Sequence, residues 1–291
     1  MVDTLGARGR RISGMTVLLP DLSEFQPHAD MPAIKAKNGG AAIIRACYGA
    51  HHPDHAFAHL RASAAGFSFL GIYQYVVASQ DIPSQSAAFC DLVGTLGVHE
   101  FPVIDLEEGS GDQSVRAAEW LSLTGVRLGK RPWLYSGLNY AEAHGLAPIF
   151  NGPEIHTWVA AYSGFEPALG HTLWQSTNGT SGVHRVDWPG AGFCDTSVYH
   201  GTLAELSALV SGKPKPATPE YVTHVTAGHM SLHDIAKQHG TTAAHVLRLT
   251  AREGPFTTET YAWINSVFAG QADAGAVMPA GLTWRLPVIP S

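Results

Sequence analysis

The stretch FPVIDLEE, residues 101–108, sets three carboxylates directly behind a short apolar run in a chain of which only 14% is charged. A proline entry followed by Val103 and Ile104 reads as a buried strand. Side chains alternate across a strand, so Asp105 and Glu107 project to one face, Leu106 and Glu108 to the other. At about 3.3 Å per residue the first pair stands roughly 6.6 Å apart along the backbone, within reach of one substrate bond. A lone D-x-E serves equally well as a solvated turn after a strand. The surrounding chain has to decide.

Working outward, short strands and helical segments alternate from residue 16. Strands are predicted over 16–21, 42–47, 68–76, 101–105 and 132–135, with helices over 31–37, 56–65, 84–96, 114–128 and 140–144. Helix-stopping glycines such as Gly39, Gly66 and Gly97 punctuate them. This rhythm predicts a parallel sheet built from right-handed crossovers. After residue 150 strands follow without clear helices between them, over 156–162, 172–176 and 193–197, and a helix over 203–210 closes the unit. The pattern predicts an α/β fold, an irregular TIM-like (β/α)5(β)3 barrel.

In a closed parallel barrel, reacting groups sit where strands end and loops begin. Asp21 in LLPDLSEFQ, Asp105, Glu107 and Asp195 in GFCDTSVYHG occupy such places. Singly, a carboxylate at a strand end is often a cap or turn former. Four at one mouth suit glycoside hydrolysis, in which one carboxyl protonates the leaving oxygen while another supports positive charge. Asp187, in GVHRVDWPGAG, competes with Asp195 for the fourth place. Tyr73, Tyr75, Tyr135, Trp158, Tyr162 and Trp174 cluster near the same ends, as platforms under sugar rings or as core filling. Gln175 joins them among the candidate substrate-binding residues.

These segments bear a family likeness. DLSEFQ (21–26), IIRACYG (43–49), AGFSFLGIYQY (65–75), PVIDLEE (102–108), RPWLYSG (131–137), WVAAYSG (158–164), LWQSTNG (173–179) and CDTSVYHGTLAEL (194–206) resemble, in order, glycoside hydrolase family 25, the muramidases. The resemblance covers roughly residues 16–210. It implies that Glu107 is the general acid, that Asp105 steadies the substrate's acetamido group as it attacks the sugar carbon, and that Asp21 and Asp195 complete an acidic floor. Glu108, on the other face, is expected to be a loop or cap residue. Two positions depart from the family pattern: Tyr73 is followed by Gln74 where a histidine is usual, and Ser197 stands where an asparagine is usual.

SGKPKPATPE, residues 211–220, holds three prolines in ten positions and reads as a stiff linker. The segment 221–291 resembles a LysM module, with a strand, the helices SLHDIAKQHG and TAAHVLRLT, and a closing strand after P-x-G. An extra helix, ETYAWINSVFAG, exceeds that pattern. LysM modules bind N-acetylglucosamine chains, so peptidoglycan glycan strands are the partner implied for both parts.

The totals bound the rest. A net charge of −6 argues against nucleic acid as the main partner. No apolar run approaches the ~18 residues of a membrane helix. Residues 1–15 read as a disordered leader with no signal-peptide core. Cys47, Cys90 and Cys194, odd in number and in apolar contexts, read as buried free thiols. HHPDH at 51–55 has loose metal-ligand spacing but completes no zinc pattern, so an exposed loop is expected there and no metal or cofactor. Together these predict a phage endolysin-like lysozyme, held in a bacterial host's cytoplasm until lysis and then acting on the wall. The alternative is a wall-binding barrel that has lost activity. A chitinase-like enzyme fits less well, because the longer D-x-x-D-x-D-x-E run is missing.

Overall fold

A computed structural model describes residues 16–211 continuously and, beyond them, 221–226, 230–238, 243, 246–247, 250, 258–268 and 275–287. The expected leader over 1–15 and the linker beyond Ser211 lie outside the described residues.

The chain runs β1 (Thr16–Leu22), α1 (Met31–Asn38), β2 (Ala41–Tyr48), β3 (His52–Pro53), α2 (Phe57–Ser63), β4 (Phe69–Tyr75), α3 (Ile82–Val93), β5 (Glu100–Asp105), α4 (Ser114–Leu128) and β6 (Trp133–Gly137). It continues through α5 (Leu138–Ala143), α6 (Ala147–Phe150), β7 (Thr157–Ala160), β8 (Leu173–Asn178), the hairpin β9 (Asp187–Trp188) and β10 (Gly192–Phe193), β11 (Asp195–His200) and α7 (Leu203–Ser211). Eight strands, β1-β2-β4-β5-β6-β7-β8-β11, close on themselves through the β11–β1 pairing. All neighbours are parallel except β11, which runs antiparallel to both β8 and β1. Five strand–helix units followed by three strands is the architecture the sequence predicts. The β9–β10 hairpin and α6 were not anticipated, because neither is long enough to leave a periodic signal.

Local chemistry fixes the element ends. Asp30 accepts the Ala33 N–H ahead of α1, with proline in its first turn, and Gly39 takes the left-handed conformation at its close. Asp81 caps α3 the same way through Ser84, again with a proline in the first turn.

Strand alternation sorts the apolar residues into two layers. Outward residues such as Leu22, Ile44, Ile72, Ile104 and Leu134 pack under the helices. Inward residues such as Leu19, Ile43, Phe69, Phe101, Trp133 and Trp158 fill the barrel. The rings interlock, with centroids 4.6 Å apart for Phe69–Phe101 and for Phe101–Trp133. Gly71 makes room for them: a Cβ there would stand 3.0 Å from Phe101 Cζ and 3.1 Å from Ile43 Cγ1. Each such ring contributes on the order of 1.5–3 kcal/mol by leaving water. Leu206 and Val210 of α7 join the inner layer, and Ser207 Oγ lies 3.2 Å from Nδ1 of His99, just before β5. Helix α7 therefore closes the end where the parallel strands begin and leaves the other end as the mouth.

In the C-terminal part, strands Tyr221–Val225 and Thr283–Pro287 pair antiparallel. Helices Leu232–Gln238 and Thr258–Phe268 lie between them in sequence, and Leu232, Ile235, Val246, Ile264, Met278 and Trp284 form a separate buried cluster. The second helix coincides with the expected extra one. All three cysteines are buried and free.

Candidate active site

Parallel strands deliver their last residues to the mouth. Asp21 lies at the end of β1 and Asp105 is the final residue of β5; Glu107 follows two residues later. Asp195 arrives by the opposite route. It is the first residue of β11, and because that strand is antiparallel it pairs with Asn178, the last residue of β8. All four acids therefore share one rim. Asp187 is solvent-exposed on the β9–β10 hairpin, where its carbonyl accepts Lys37 Nζ at 2.8 Å. It does not compete.

Crowding carboxylates in a desolvated bowl raises their pKa values. Burial, then the charges of Glu107 and Asp21, hold Asp105 well above the usual aspartate range, against the pull of Arg45. Asp105 is only 6% exposed, and its Oδ1 has no hydrogen-bond partner. Burial and the Asp195 charge likewise push Asp21 up, opposed by Arg45 and a hydrogen bond from Tyr73. Burial raises Glu107 as well, offset by the Gly137 N–H its carboxylate accepts and reinforced by Asp195. Asp195 is pushed up to about 6 by burial. A mouth with four acids and one nearby cation holds protons to higher pH than exposed carboxyls do, the direction a general acid requires.

The cation is Arg45, which sequence reading passed over. It sits buried in the otherwise apolar run of β2, its Nε 2.9 Å from Asp54 Oδ2 and its Nη2 2.7 Å from Glu24 Oε1. Asp54 also accepts the backbone N–H groups of Glu24 and Ala56, each at 2.9 Å. The one acid of HHPDH is thus a buried anchor, while His51, His52 and His55 around it are exposed. The available signal was an arginine inside a strand pattern, since a buried guanidinium demands a carboxylate partner. Among the described residues no group of three or more His, Cys, Asp or Glu side chains is arranged to hold a metal ion.

The expected substrate-binding residues divide into four sets. Tyr75 and Tyr162, the latter 40% exposed, reach the mouth. Tyr73 and Tyr135 are nearly covered and form its floor, with Trp158 beneath them, 1% exposed and donating from Nε1 to Ser197 Oγ at 2.9 Å. Gln175 is enclosed and fully engaged: Oε1 accepts from the hydroxyls of Tyr135 at 2.9 Å and Tyr162 at 2.7 Å, while Nε2 donates to Asp21 Oδ2 at 3.1 Å. It orients Asp21 rather than touching sugar. Trp174 is a correction. Being next to inward-facing Gln175 on β8, it faces outward, 3% exposed in the layer beneath the helices, with Nε1 donating to Ala161 O at 2.8 Å.

A family model for glycosyl hydrolases family 25 matches residues 20–183. The chain belongs to that family. It is a glycoside hydrolase. Over 206 residues it is 28% identical to the uncharacterized protein YegX of Escherichia coli strain K12, covering 66% of this chain and 72% of YegX. The fold matches a bacterial lysozyme from Streptomyces coelicolor, with TM-score 0.59 and 18% identity over 68% of this chain and 98% of that one. It also matches the catalytic domain of the endolysin Ply40 from bacteriophage P40 of Listeria monocytogenes, with TM-score 0.51 and 19% identity over 67% of this chain and 98% of that one.

The two departures of this family-25 chain from the pattern have structural explanations. Gln74 faces away from the mouth and is buried, donating to Gly49 O and Gln85 O at 3.0 Å each and accepting from Trp120 Nε1 at 2.6 Å. It braces the outer layer. Ser197 points inward as the acceptor for Trp158.

The crowded acids of this site also bear on stability. An unfolded aspartate ionises near pH 4, whereas Asp195 in the fold ionises at about 6. Between those values the folded state holds the proton more tightly, so stability falls as pH rises through that window and stays reduced above it. Asp195→Asn is expected to raise the melting temperature at pH 7.5 by a few degrees, on the order of ~1–2 kcal/mol after allowing for solvent, and to leave it unchanged at pH 3.5. Thermal scans of both proteins at the two pH values check this; equal melting temperatures at pH 7.5 would contradict it.

Proposed function

We propose that this glycoside hydrolase is an N-acetylmuramidase, a lysozyme that cuts the β-1,4 bond between N-acetylmuramic acid and N-acetylglucosamine in bacterial peptidoglycan. The observation that carries the reading is the convergence of Asp21, Asp105, Glu107 and Asp195 on one mouth with Arg45 as their neighbouring cation. Glu107 gives its proton to the leaving oxygen. Asp105, with a free buried oxygen, steadies the positive charge that develops as the substrate's acetamido group attacks the sugar carbon. Asp21, oriented by Gln175, and Asp195 keep the bowl acidic. Attack by the substrate's own group followed by water inverts the carbon twice, so the product keeps the β configuration. Proton NMR of freshly cut oligosaccharide should show the β anomer first. Initial α anomer would replace substrate assistance with direct attack by water.

The C-terminal part is read as a LysM-like wall-binding module and the whole chain as a phage endolysin, held in the host cytoplasm and acting on the wall at lysis. The support is the order of strand, helix, extra helix and closing strand, with a cluster of its own. Truncation after residue 212 should leave cleavage of short soluble oligosaccharides within about two-fold, while lysis of whole walls drops ten-fold or more through lost effective concentration at the polymer. Equal wall lysis by both forms would remove the binding role.

A further inference from the structure

Glu108 sits beside the proposed acid, with its carboxylate engaged by protein donors. Its Oε1 accepts from the hydroxyls of Tyr48 and Tyr75, each at 3.1 Å, and its Oε2 accepts the Ala78 N–H at 3.1 Å. Tyr48 ends β2 and Tyr75 ends β4, opposite each other in register. Their rings stack with centroids 4.6 Å apart and planes 8° from parallel. Tyr75 is in turn the register partner of Asp105 on β5. Tyr48 remains 37% exposed. The result is a two-ring block on the rim next to the acids, its polar ends tied down and its aromatic surface open.

We propose that the Tyr48–Tyr75 pair is a stacking subsite for a pyranose ring of the glycan, and that Glu108 is the positioning residue that holds it upright. This rests on reading the mouth as a glycan-cleaving site. A sugar ring has one face of C–H groups, which packs on aromatic carbon and releases water. Hydroxyls engaged with protein cannot turn toward the ligand, so the pair offers an apolar face in a fixed orientation, at low entropic cost. The carboxylate accepts all three protons, two hydroxyls on one oxygen and an amide on the other. A glutamine could replace it only by turning its NH2 to the hydroxyls and making them acceptors, without the charge assistance that strengthens these bonds. The bonds to Ala78, Tyr75 and Tyr48 also keep Glu108 ionised, its pKa below the usual glutamate range.

The test uses the full-length chain and soluble peptidoglycan oligosaccharides, with binding measured by calorimetry in a Glu107→Gln background and turnover in the unaltered background. Tyr48→Ala should weaken binding and raise KM about ten-fold, with kcat within about two-fold. Tyr48→Phe, which keeps the ring, should recover most of the affinity. Glu108→Gln should fall between them. Tyr48 is at the surface, so its variants fold even if Glu108→Gln does not, and circular dichroism verifies this. Unchanged Kd and KM in a folded Tyr48→Ala protein that still cleaves would overturn the subsite alone. Failure of the unaltered protein to bind or cleave the oligosaccharides would overturn the reading of the mouth, and the subsite with it.

Discussion

Glu107→Gln is expected to fold normally and to lose about 10²–10⁴-fold in wall lysis, the usual range for a missing general acid. The amide has the shape of the carboxyl, and its oxygen can still accept the Gly137 N–H that now anchors Glu107. It has no acidic proton to give. The leaving sugar oxygen would depart as an alkoxide, far poorer than the neutral alcohol. Because burial already raises Glu107, the native side chain carries its proton closer to neutrality than an exposed glutamate would. Clearing of a wall suspension, followed as turbidity alongside circular dichroism, decides the matter. Near-native lysis by a folded variant would remove Glu107 from its role.

Asp105→Asn is expected to lose about 10²–10³-fold in activity and to gain stability at neutral pH. The activity loss follows from electrostatics: an enclosed negative charge facing the developing cation is worth far more than in water, and an amide carries none. The gain follows from the same crowding. Burial, Glu107 and Asp21 all raise Asp105, so its folded pKa lies above the unfolded value. Stability is present at low pH and lost as pH rises past the unfolded value. A neutral side chain escapes that penalty, a known trade between activity and stability. Parallel turbidity and thermal-unfolding measurements at pH 7.5 check both halves. A variant that is equally active, or inactive and less stable, would contradict the assignment.

How much of this was legible beforehand differs by residue. The strand 101–105 and its acids were, because a four-residue apolar run leading into D-x-E has few other uses once four more strand–helix units surround it. Asp195 was visible as an acid in a late strand, and the preference for it over Asp187 came from family resemblance. Its place at the mouth depends on β11 running antiparallel, and strand direction leaves no mark in a short run such as DTSVYH. The face of β8 was illegible for a related reason. Leu173, Trp174, Gln175, Ser176 and Thr177 are all buried, so no alternation of polar and apolar residues tells inside from outside. Trp174 was therefore expected at the mouth, and Gln175 was expected to touch substrate when it is spent on Asp21 and two tyrosines. Arg45 was visible as an oddity in IIRACYG, and Asp54, nine residues on, together with Glu24 makes sense of it. Glu108 looked spare because its partners come from strands far off in sequence.

The central claim, cleavage on the reducing side of N-acetylmuramic acid, is tested most directly by digesting purified peptidoglycan, reducing the soluble fragments with borohydride and weighing them by mass spectrometry. Fragments whose reduced terminal sugar is N-acetylmuramic acid are the predicted result. Fragments ending in reduced N-acetylglucosamine, or released peptides with no new reducing sugar, would contradict it.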